Sequence, residues 1–301
     1  MAFRDRKKIL KKGASAASLL NLIYITRLAK KLSWGCVVKD RKIYQVKYVI
    51  SGDVVERYTY EKNQYVGFES KNKNGKNKNS DIKTELRAIS LSRARKVVMR
   101  TINSNPCLNK FLTLTFEENI TDLDYSHNEL KKWIKRVNYH VFNTKKSMMK
   151  YVAVIEFQKR GAVHYHMLCN LPYIDVNKLS DTWGHGFIKL NKIKGDKERF
   201  GSSECDNVGA YVCKYMTKDN DDPRLVGRNT YLTSRNLDKP QEIFVGNDEK
   251  DLLEQVYGFN NAITCLSTKT NFSAMYSNEY TGAVIYNQFN LKRLKNQMCK
   301  K

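Results

Sequence analysis

Two histidines one residue apart are the first feature of the sequence with chemical meaning. His164 and His166 lie in a run, Val163–Cys169, that is predicted to be a strand. Alternate residues of a strand share a face, so both imidazoles are expected to point the same way. Glu156 ends a preceding predicted strand, and a tight turn at 159–161 would bring its carboxylate beside them. Two histidines and a carboxylate leave coordination positions open, as a catalytic metal site requires. The alternative is a pair of structural histidines that bind no ligand.

A second cluster contains tyrosines and lysines. Tyr211, Lys214, Tyr215 and Lys218 fall at i, i+3, i+4 and i+7 of a helix predicted over 204–218, so they share one face. A tyrosine, with a pKa of about 10, is a poor nucleophile at neutral pH unless cations stabilise its phenolate. The two lysines would do this or would hold a phosphate. The alternative is an ordinary amphipathic helix with inward tyrosines and solvated lysines.

The elements that must position these residues alternate between strand and helix. Ser126 is expected to begin a helix, with Glu129 completing a capping box. The resulting β-α-β-β-α-β-α order indicates an α+β fold with an antiparallel sheet backed by helices. The predicted strands are 111–116, 151–157, 163–169 and 186–193, and the predicted helices are 81–103, 126–143, 176–183 and 204–218.

The chain is expected to divide at a polar run. Residues 71–80 contain no apolar side chain, so they cannot join a core and are predicted to be a linker. Before it, residues 1–70 combine a basic helix (1–34) with a small β region. After it, residues 81–222 hold the chemistry described above, and 223–301 form a C-terminal extension of unknown role.

The net charge indicates the partner. Fifty-four basic against 30 acidic residues give +24, an excess that persists when the partner is a polyanion. Nucleic acid is the default. A predicted arginine-rich helix and the end of the tyrosine segment are expected to contact phosphates, through Arg93, Arg95, Lys96, Arg100 and Lys218. The alternative is a solvated basic face with no dedicated role.

The seven cysteines form no CxxC pair, which is typical of free thiols in a reducing compartment. No run reaches the roughly 18 apolar residues that a membrane span needs. We therefore expect a cytoplasmic protein without a membrane partner.

Residues 111–218 resemble the HUH endonuclease superfamily, specifically the replication initiators of small single-stranded DNA phages and rolling-circle plasmids. The resemblance rests on three motifs in the family's order: the hydrophobic-threonine strand 111–116, the His164-Tyr165-His166 triplet, and the segment 211–218. The Trp183-Gly184-His185-Gly186 run is also similar to small-phage initiators. The tyrosines follow the histidines, whereas conjugative relaxases have the opposite order. A single-strand transposase remains an alternative.

The resemblance implies an RRM-like (ferredoxin-like) five-stranded antiparallel sheet with helices on its faces and both histidines central. It implies Mg²⁺ or Mn²⁺ held by His164, His166 and Glu156. Tyr211 would be the nucleophile, Tyr215 a second active tyrosine and Lys214 their cation. The reaction would nick one strand at an origin, leaving a 5′-phosphotyrosine link and a 3′-OH primer for rolling-circle replication.

The implied partners are single-stranded DNA and a replication origin. Because the chain lacks a P-loop run, a host helicase and DNA polymerase would act with it in the host cytoplasm. Two other classes remain open. One is a non-catalytic nucleic-acid-binding regulator. The other is a hydrolytic metalloenzyme, which would need further ligands downstream, where His185 is the one remaining histidine.

Overall fold

The computed structural model describes residues 41–67, 80–191, 207–216, 222–246 and 272–292. The chain forms two units, one made of Asn74–Lys239 and the other of Met1–Lys73 with Pro240–Lys301. This division differs from the boundary expected at residue 222. The predicted N-terminal helix at 1–34 and nearly all of the predicted linker lie outside the described residues.

The Asn74–Lys239 unit contains a five-stranded antiparallel sheet and four α-helices among its described residues, so the predicted α+β class is confirmed. Its strand order is β6-β3-β5-β4-β7. The strands are β3 (Lys110–Thr115), β4 (Tyr151–Phe157), β5 (Val163–Cys169), β6 (Ile188–Asn191) and β7 (Tyr231–Thr233). The helices are α1 (Ser80–Ser104), α2 (Leu123–His140), α3 (Val176–Trp183) and α4 (Val208–Cys213), and 3₁₀ turns follow at Lys214–Met216 and Pro223–Leu225.

Both faces of this sheet are covered, which explains why its central strands are apolar almost throughout. Leu112, Ile155 and Met167 point to one face and pack with α2 and α3, whose largest buried side chains are Trp133 and Trp183. The opposite face packs with α1, α4 and the 3₁₀ turn that follows α4. Its apolar contacts come from Phe111, Val152, Val154 and Leu168 of the sheet and from Val98, Ile102, Val212 and Met216. We call this second surface the α1/α4 face.

Helix α2 begins earlier than the sequence indicated, and the predicted capping box is wrong. Asp122 is the N-cap, and its carboxylate accepts hydrogen bonds from the backbone of Asp124 and Tyr125. Ser126 is buried inside the first turn, where its hydroxyl donates to the Leu123 carbonyl and accepts from Tyr165. A carboxylate at the N-cap satisfies the exposed amides as well as a serine does, so the sequence offered two start signals.

The β4–β5 hairpin has the bounds that the sequence predicted. Its turn closes with hydrogen bonds from Gln158 N to the Ala162 carbonyl and from Gly161 N to the Gln158 carbonyl. Gly161 has φ 88°, a left-handed conformation that favours glycine. Arg160 in the same turn donates to the carbonyls of Phe116 and Glu117, so the turn is fixed beside the end of β3.

The other unit is a second five-stranded antiparallel sheet, of order β8-β1-β2-β10-β9. Its strands are β1 (Lys42–Ser51), β2 (Val54–Val66), β8 (Gln241–Val245), β9 (Phe272–Asn278) and β10 (Gly282–Asn290). Part of the predicted C-terminal extension therefore pairs with the predicted N-terminal β region. Within the described residues, no helix is long and apolar enough to cross a membrane.

Candidate active site

The register of the Asn74–Lys239 sheet brings the predicted metal-binding residues together on the α1/α4 face. Glu156 of β4 lies directly opposite His164 of β5, and Thr115 of β3 lies on the other side of His164. In the next row, His166 lies between Thr113 and Val154. Cβ atoms of opposed residues are about 5 Å apart, so the two imidazoles and the carboxylate occupy one small polar area.

His166 is held on both ring nitrogens. Its Nε2 contacts the Glu156 carboxylate, and its Nδ1 lies 3.2 Å from the Thr113 hydroxyl. The residue is only 6% exposed. An imidazole fixed at both nitrogens has one orientation and one tautomer, which is the usual arrangement for a histidine that must act at a defined atom.

His164 has a different environment. Its Nε2 is buried and has no hydrogen-bond partner among the described residues. Burial, reinforced by nearby His166, lowers the pKa of His164 to about 4. The imidazole is therefore neutral at pH 7. A buried nitrogen without a partner costs on the order of 1–3 kcal/mol, so this atom is suited to a ligand.

The donor chemistry of these three side chains fits a divalent cation, with a neutral imidazole, a second imidazole of fixed orientation and a carboxylate in one area. The arrangement is not a complete metal site. In the part of the chain that the structure describes, no three His, Cys, Asp or Glu side chains converge as a metal cluster. Glu156 and His166 instead contact each other.

The tyrosine segment lies over the same polar area. Helix α4 ends at Cys213 and continues as a 3₁₀ turn, so the predicted single helix over 204–218 is shorter and changes geometry at Lys214. The Tyr215 ring stacks on His166, with centroids 4.0 Å apart. The hydroxyls of Tyr211 and Tyr215 are 3.5 Å apart. Both phenols therefore lie beside the histidine pair, with Phe111 packed against each ring.

The electrostatic environment distinguishes the two tyrosines. Burial, the hydrogen bond with Tyr211 and the Glu156 carboxylate raise the pKa of Tyr215 to about 12, so its phenol stays protonated at neutral pH. Lys214 places its ammonium 5.7 Å from the Tyr211 ring centroid. The predicted fourth member of this face, Lys218, lies outside the described residues.

Helix α1 positions the tyrosine segment through contacts that the sequence did not reveal. The Asn103 amide donates to the N-cap residue Asn207 and accepts from Gly209 N, both at 3.0 Å. A Cβ at Gly209 would lie 2.3 Å from the Met99 carbonyl oxygen, so the two backbones touch there. At the other end, Arg95 donates to the Met216 carbonyl.

The predicted phosphate-binding residues of α1 therefore have different environments. Arg93 and Lys96 are exposed, whereas Arg95 and Arg100 are partly buried. Because the Arg95 guanidinium donates to Met216, it has a structural contact within the fold. Nothing in these positions contradicts the phosphate-contact prediction for Arg93 and Lys96.

His185 does not join the histidine pair. Its Nε2 lies 2.9 Å from the Glu129 carboxylate of α2, and its ring packs beside Trp183. This group lines a cleft on the side of the sheet that α2 and α3 cover. The further histidine that a hydrolytic metalloenzyme would require is thus committed elsewhere.

Thr113 is the site residue that sequence reasoning named only as part of a strand. Its hydroxyl reaches His166 because β3 pairs with β5 in a register that no local pattern specifies. The alternation of Thr113 and Thr115 with buried apolar residues was the available signal. It indicated that one face of β3 is polar, without giving its partner.

Comparison with protein families places this site in a known context. Residues 109–220 match the family model of replication-associated proteins of the ORF2 type. The matched segment runs from the start of β3 past the tyrosines, so it contains every site residue described above. Neither the curated proteins nor the solved structures gave a match. The family match confirms the resemblance found in the sequence and is consistent with a rolling-circle replication initiator.

Proposed function

We propose that this protein initiates replication by nicking one DNA strand at an origin, using a tyrosine as the nucleophile. The observation that supports this best is the stacking of Tyr215 on His166, with the Tyr211 hydroxyl 3.5 Å from the Tyr215 hydroxyl. It puts two phenols, two imidazoles and a carboxylate within one area of a replication-associated domain. These groups are the ones that a metal-assisted phosphoryl transfer to tyrosine needs.

The reaction is a transesterification in which Tyr211 is the nucleophile. Its phenolic oxygen bonds to phosphorus, the bond from phosphorus to the 3′ oxygen breaks, and the phenolic proton ends on that 3′ oxygen. One phosphoester bond replaces another, so the 5′ link to Tyr211 conserves the energy needed for later rejoining. The ammonium of Lys214 favours the phenolate form of Tyr211 or holds the scissile phosphate.

The three polar side chains of the sheet would hold Mg²⁺ or Mn²⁺. A bound divalent cation supplies Lewis-acid polarisation of a non-bridging phosphate oxygen. His164 offers a neutral, buried nitrogen, and Thr113 fixes the ring of His166. Glu156, which contacts His166, supplies the negative charge.

Tyr215 has a separate role in this proposal. With its pKa raised to about 12, it is the weaker nucleophile of the two in the resting protein. Once Tyr211 is linked to DNA, the phenolic proton that Tyr211 shares with Tyr215 is gone, and the hydroxyl of Tyr215 accepts the strand in a second transfer. Termination would then release a closed circle. The free 3′-OH primes a host DNA polymerase, with a host helicase separating the strands.

A denaturing gel tests the proposal directly. Purified protein is incubated with labelled single-stranded oligonucleotides that tile its own replicon, with Mn²⁺ or with EDTA. We expect an SDS-resistant protein–DNA adduct that needs Mn²⁺ and is absent from Tyr211→Phe. Tyr173→Phe is a matched control, since Tyr173 is 95% exposed in the loop after β5.

The other outcomes of this gel separate the alternative functions. Cleavage without an adduct would indicate a hydrolase and contradict the proposal. Binding with neither cleavage nor adduct, across all oligonucleotides, would indicate a non-catalytic regulator. Cleavage of transposon-end hairpins in preference to the replicon's origin would indicate a single-strand transposase.

A further inference from the structure

An exposed aromatic side chain lies at the edge of the α1/α4 face. Phe187 is 74% exposed, although it directly precedes the edge strand β6. Water contact over most of a phenyl ring costs free energy, and a ring of this kind next to a polar site indicates a binding surface. None of the contacts described above uses this side chain.

The register places Phe187 in the same row as the histidine pair. The Thr115 backbone N–H donates to the Phe187 carbonyl at 3.0 Å, so the two residues lie side by side. Thr115 lies opposite His164, which lies opposite Glu156. Phe187, Thr115, His164 and Glu156 therefore form one line across the sheet. Two strand spacings, about 10 Å, separate Phe187 from His164.

Lys189 extends the neighbouring row in the same way. It pairs with Thr113, which lies opposite His166. Ile188, between Phe187 and Lys189, is buried in the core under α2 and α3, so its two neighbours point to the α1/α4 face. An exposed ring and an exposed lysine thus lie side by side at the open edge of the site.

We propose that Phe187 and Lys189 bind the single-stranded DNA that flanks the cleaved phosphate, with Phe187 stacking on an unpaired base and Lys189 contacting a backbone phosphate. This inference rests on the proposed function and names the path of its substrate. A ring beside a cation is the pair of groups that single-strand binding surfaces use, because every base has a stacking face and every nucleotide a phosphate. Duplex DNA offers no exposed base face to Phe187, so the surface favours unpaired DNA.

Binding without chemistry tests the inference. The full-length protein is titrated into fluorescein-labelled poly(dT) with EDTA present, and fluorescence anisotropy gives the affinity. Phe187→Ala is expected to weaken binding about 5- to 150-fold, the range for loss of one stacked base. Phe187→Tyr keeps a ring and is expected to bind like the unmodified protein. Tyr173→Ala removes an exposed ring outside this face and is the matched control.

The salt dependence tests Lys189. Each phosphate contact to a single strand contributes about 0.7 to the slope of log affinity against log salt. Lys189→Ala is expected to flatten the slope by about that amount, whereas Lys178→Ala, at an exposed position of α3, leaves the slope unchanged. Unchanged affinity in Phe187→Ala together with an unchanged slope in Lys189→Ala would overturn the inference.

The position of the stacked base gives a second test once the cleavage position is known. An abasic nucleotide at the seat on Phe187 is expected to weaken binding to the unmodified protein, with no added loss in Phe187→Ala. If all abasic positions beside the cleavage point weaken both proteins equally, Phe187 has no dedicated base and the inference fails.

The two proposals fail in distinguishable ways. An adduct in the unmodified protein with normal binding by Phe187→Ala removes this inference and leaves the nicking function. Loss of binding in Phe187→Ala without any adduct in the unmodified protein leaves the binding surface and removes the nicking function. Circular dichroism melting of each variant identifies any loss caused by misfolding, and Phe187→Tyr then decides.

Discussion

The Tyr215 ring lies over the imidazole of His166, with centroids 4.0 Å apart and an angle of 28° between the planes. The hydroxyl of Tyr215 contacts that of Tyr211. The phenol that covers the histidine is also the one whose pKa is raised to about 12. Proximity to the histidines therefore favours Tyr215 as a nucleophile, whereas ease of ionisation does not.

The first prediction concerns Tyr215→Phe, which keeps the ring on His166 and removes only the hydroxyl. We expect adduct formation to persist and the later release of closed circles to slow sharply, because the second acceptor is missing. Single-turnover gels with an origin oligonucleotide measure the first step, and a circle-release assay measures the second. Loss of the adduct in Tyr215→Phe, with a normal adduct in Tyr211→Phe, would reverse the two roles.

The second prediction concerns Thr113, whose hydroxyl lies 3.2 Å from His166 Nδ1. Thr113→Val keeps the shape and removes this contact, so the ring is less well oriented. Changes to such supporting groups typically cost about 10–100-fold in metal affinity, and we expect a loss of about that size. Calorimetric titration with Mn²⁺ measures it without relying on activity.

Thr115→Val is the control for this experiment because Thr115 lies on the same strand and face, but its hydroxyl bonds to the backbone of Phe187. We expect its Mn²⁺ affinity to equal that of the unmodified protein. An equal loss in both variants would mean that the effect comes from the strand rather than from His166.

The third prediction concerns the contact between α4 and α1. Gly209→Ala would force a Cβ to 2.3 Å from the Met99 carbonyl oxygen, and a backbone atom cannot move aside cheaply. Helix α4 must shift, and with it Tyr211. We expect lower stability and loss of the adduct, measured by urea unfolding and by the gel assay.

Gly227→Ala is the matched control because a Cβ there meets nothing within 4 Å. Its φ of 72° imposes only local strain, of about 1–2 kcal/mol. We expect a modest stability loss and a normal adduct. If Gly209→Ala nicks DNA as well as this control does, close packing at Gly209 does not position the tyrosine.

The fourth prediction concerns the start of α2. Asp122→Ala removes the carboxylate that accepts from Asp124 N and Tyr125 N. We expect a loss of about 1 kcal/mol in the free energy of unfolding, measured with urea. Asp122→Asn retains a good cap and should lose much less. Equal losses in the two variants would show that the capping interaction is not the cause.

Much of the sheet was predictable because its strands have strong local patterns. The β4–β5 hairpin has its predicted bounds, since two apolar runs flank a short turn that contains glycine. The alternation in β5 also predicted that His164 and His166 share a face and that Tyr165 enters the opposite core. Glu156 lies opposite His164 because the hairpin register follows from the turn.

The remaining features depend on contacts between distant parts of the chain. Strand β7 has three residues, too few to show a period, so the boundary expected at residue 222 missed it. The second sheet pairs β2 with β10, which lies at the other end of the chain, and no local pattern encodes that pairing. Likewise, α4 is short where Gly209 packs on α1, whereas the periodicity of its tyrosines and lysines suggested a longer helix.

Peptide mapping of the protein–DNA adduct tests the central claim most directly. Trypsin cleaves after Lys214, so Tyr211 lies in the peptide 200–214 and Tyr215 in the peptide 215–218. After nuclease digestion of the adduct, mass spectrometry is expected to find a residual nucleotide on the 200–214 peptide. A nucleotide on 215–218 would move the nucleophile to Tyr215. Cleaved DNA with both peptides unmodified would contradict tyrosine transesterification altogether.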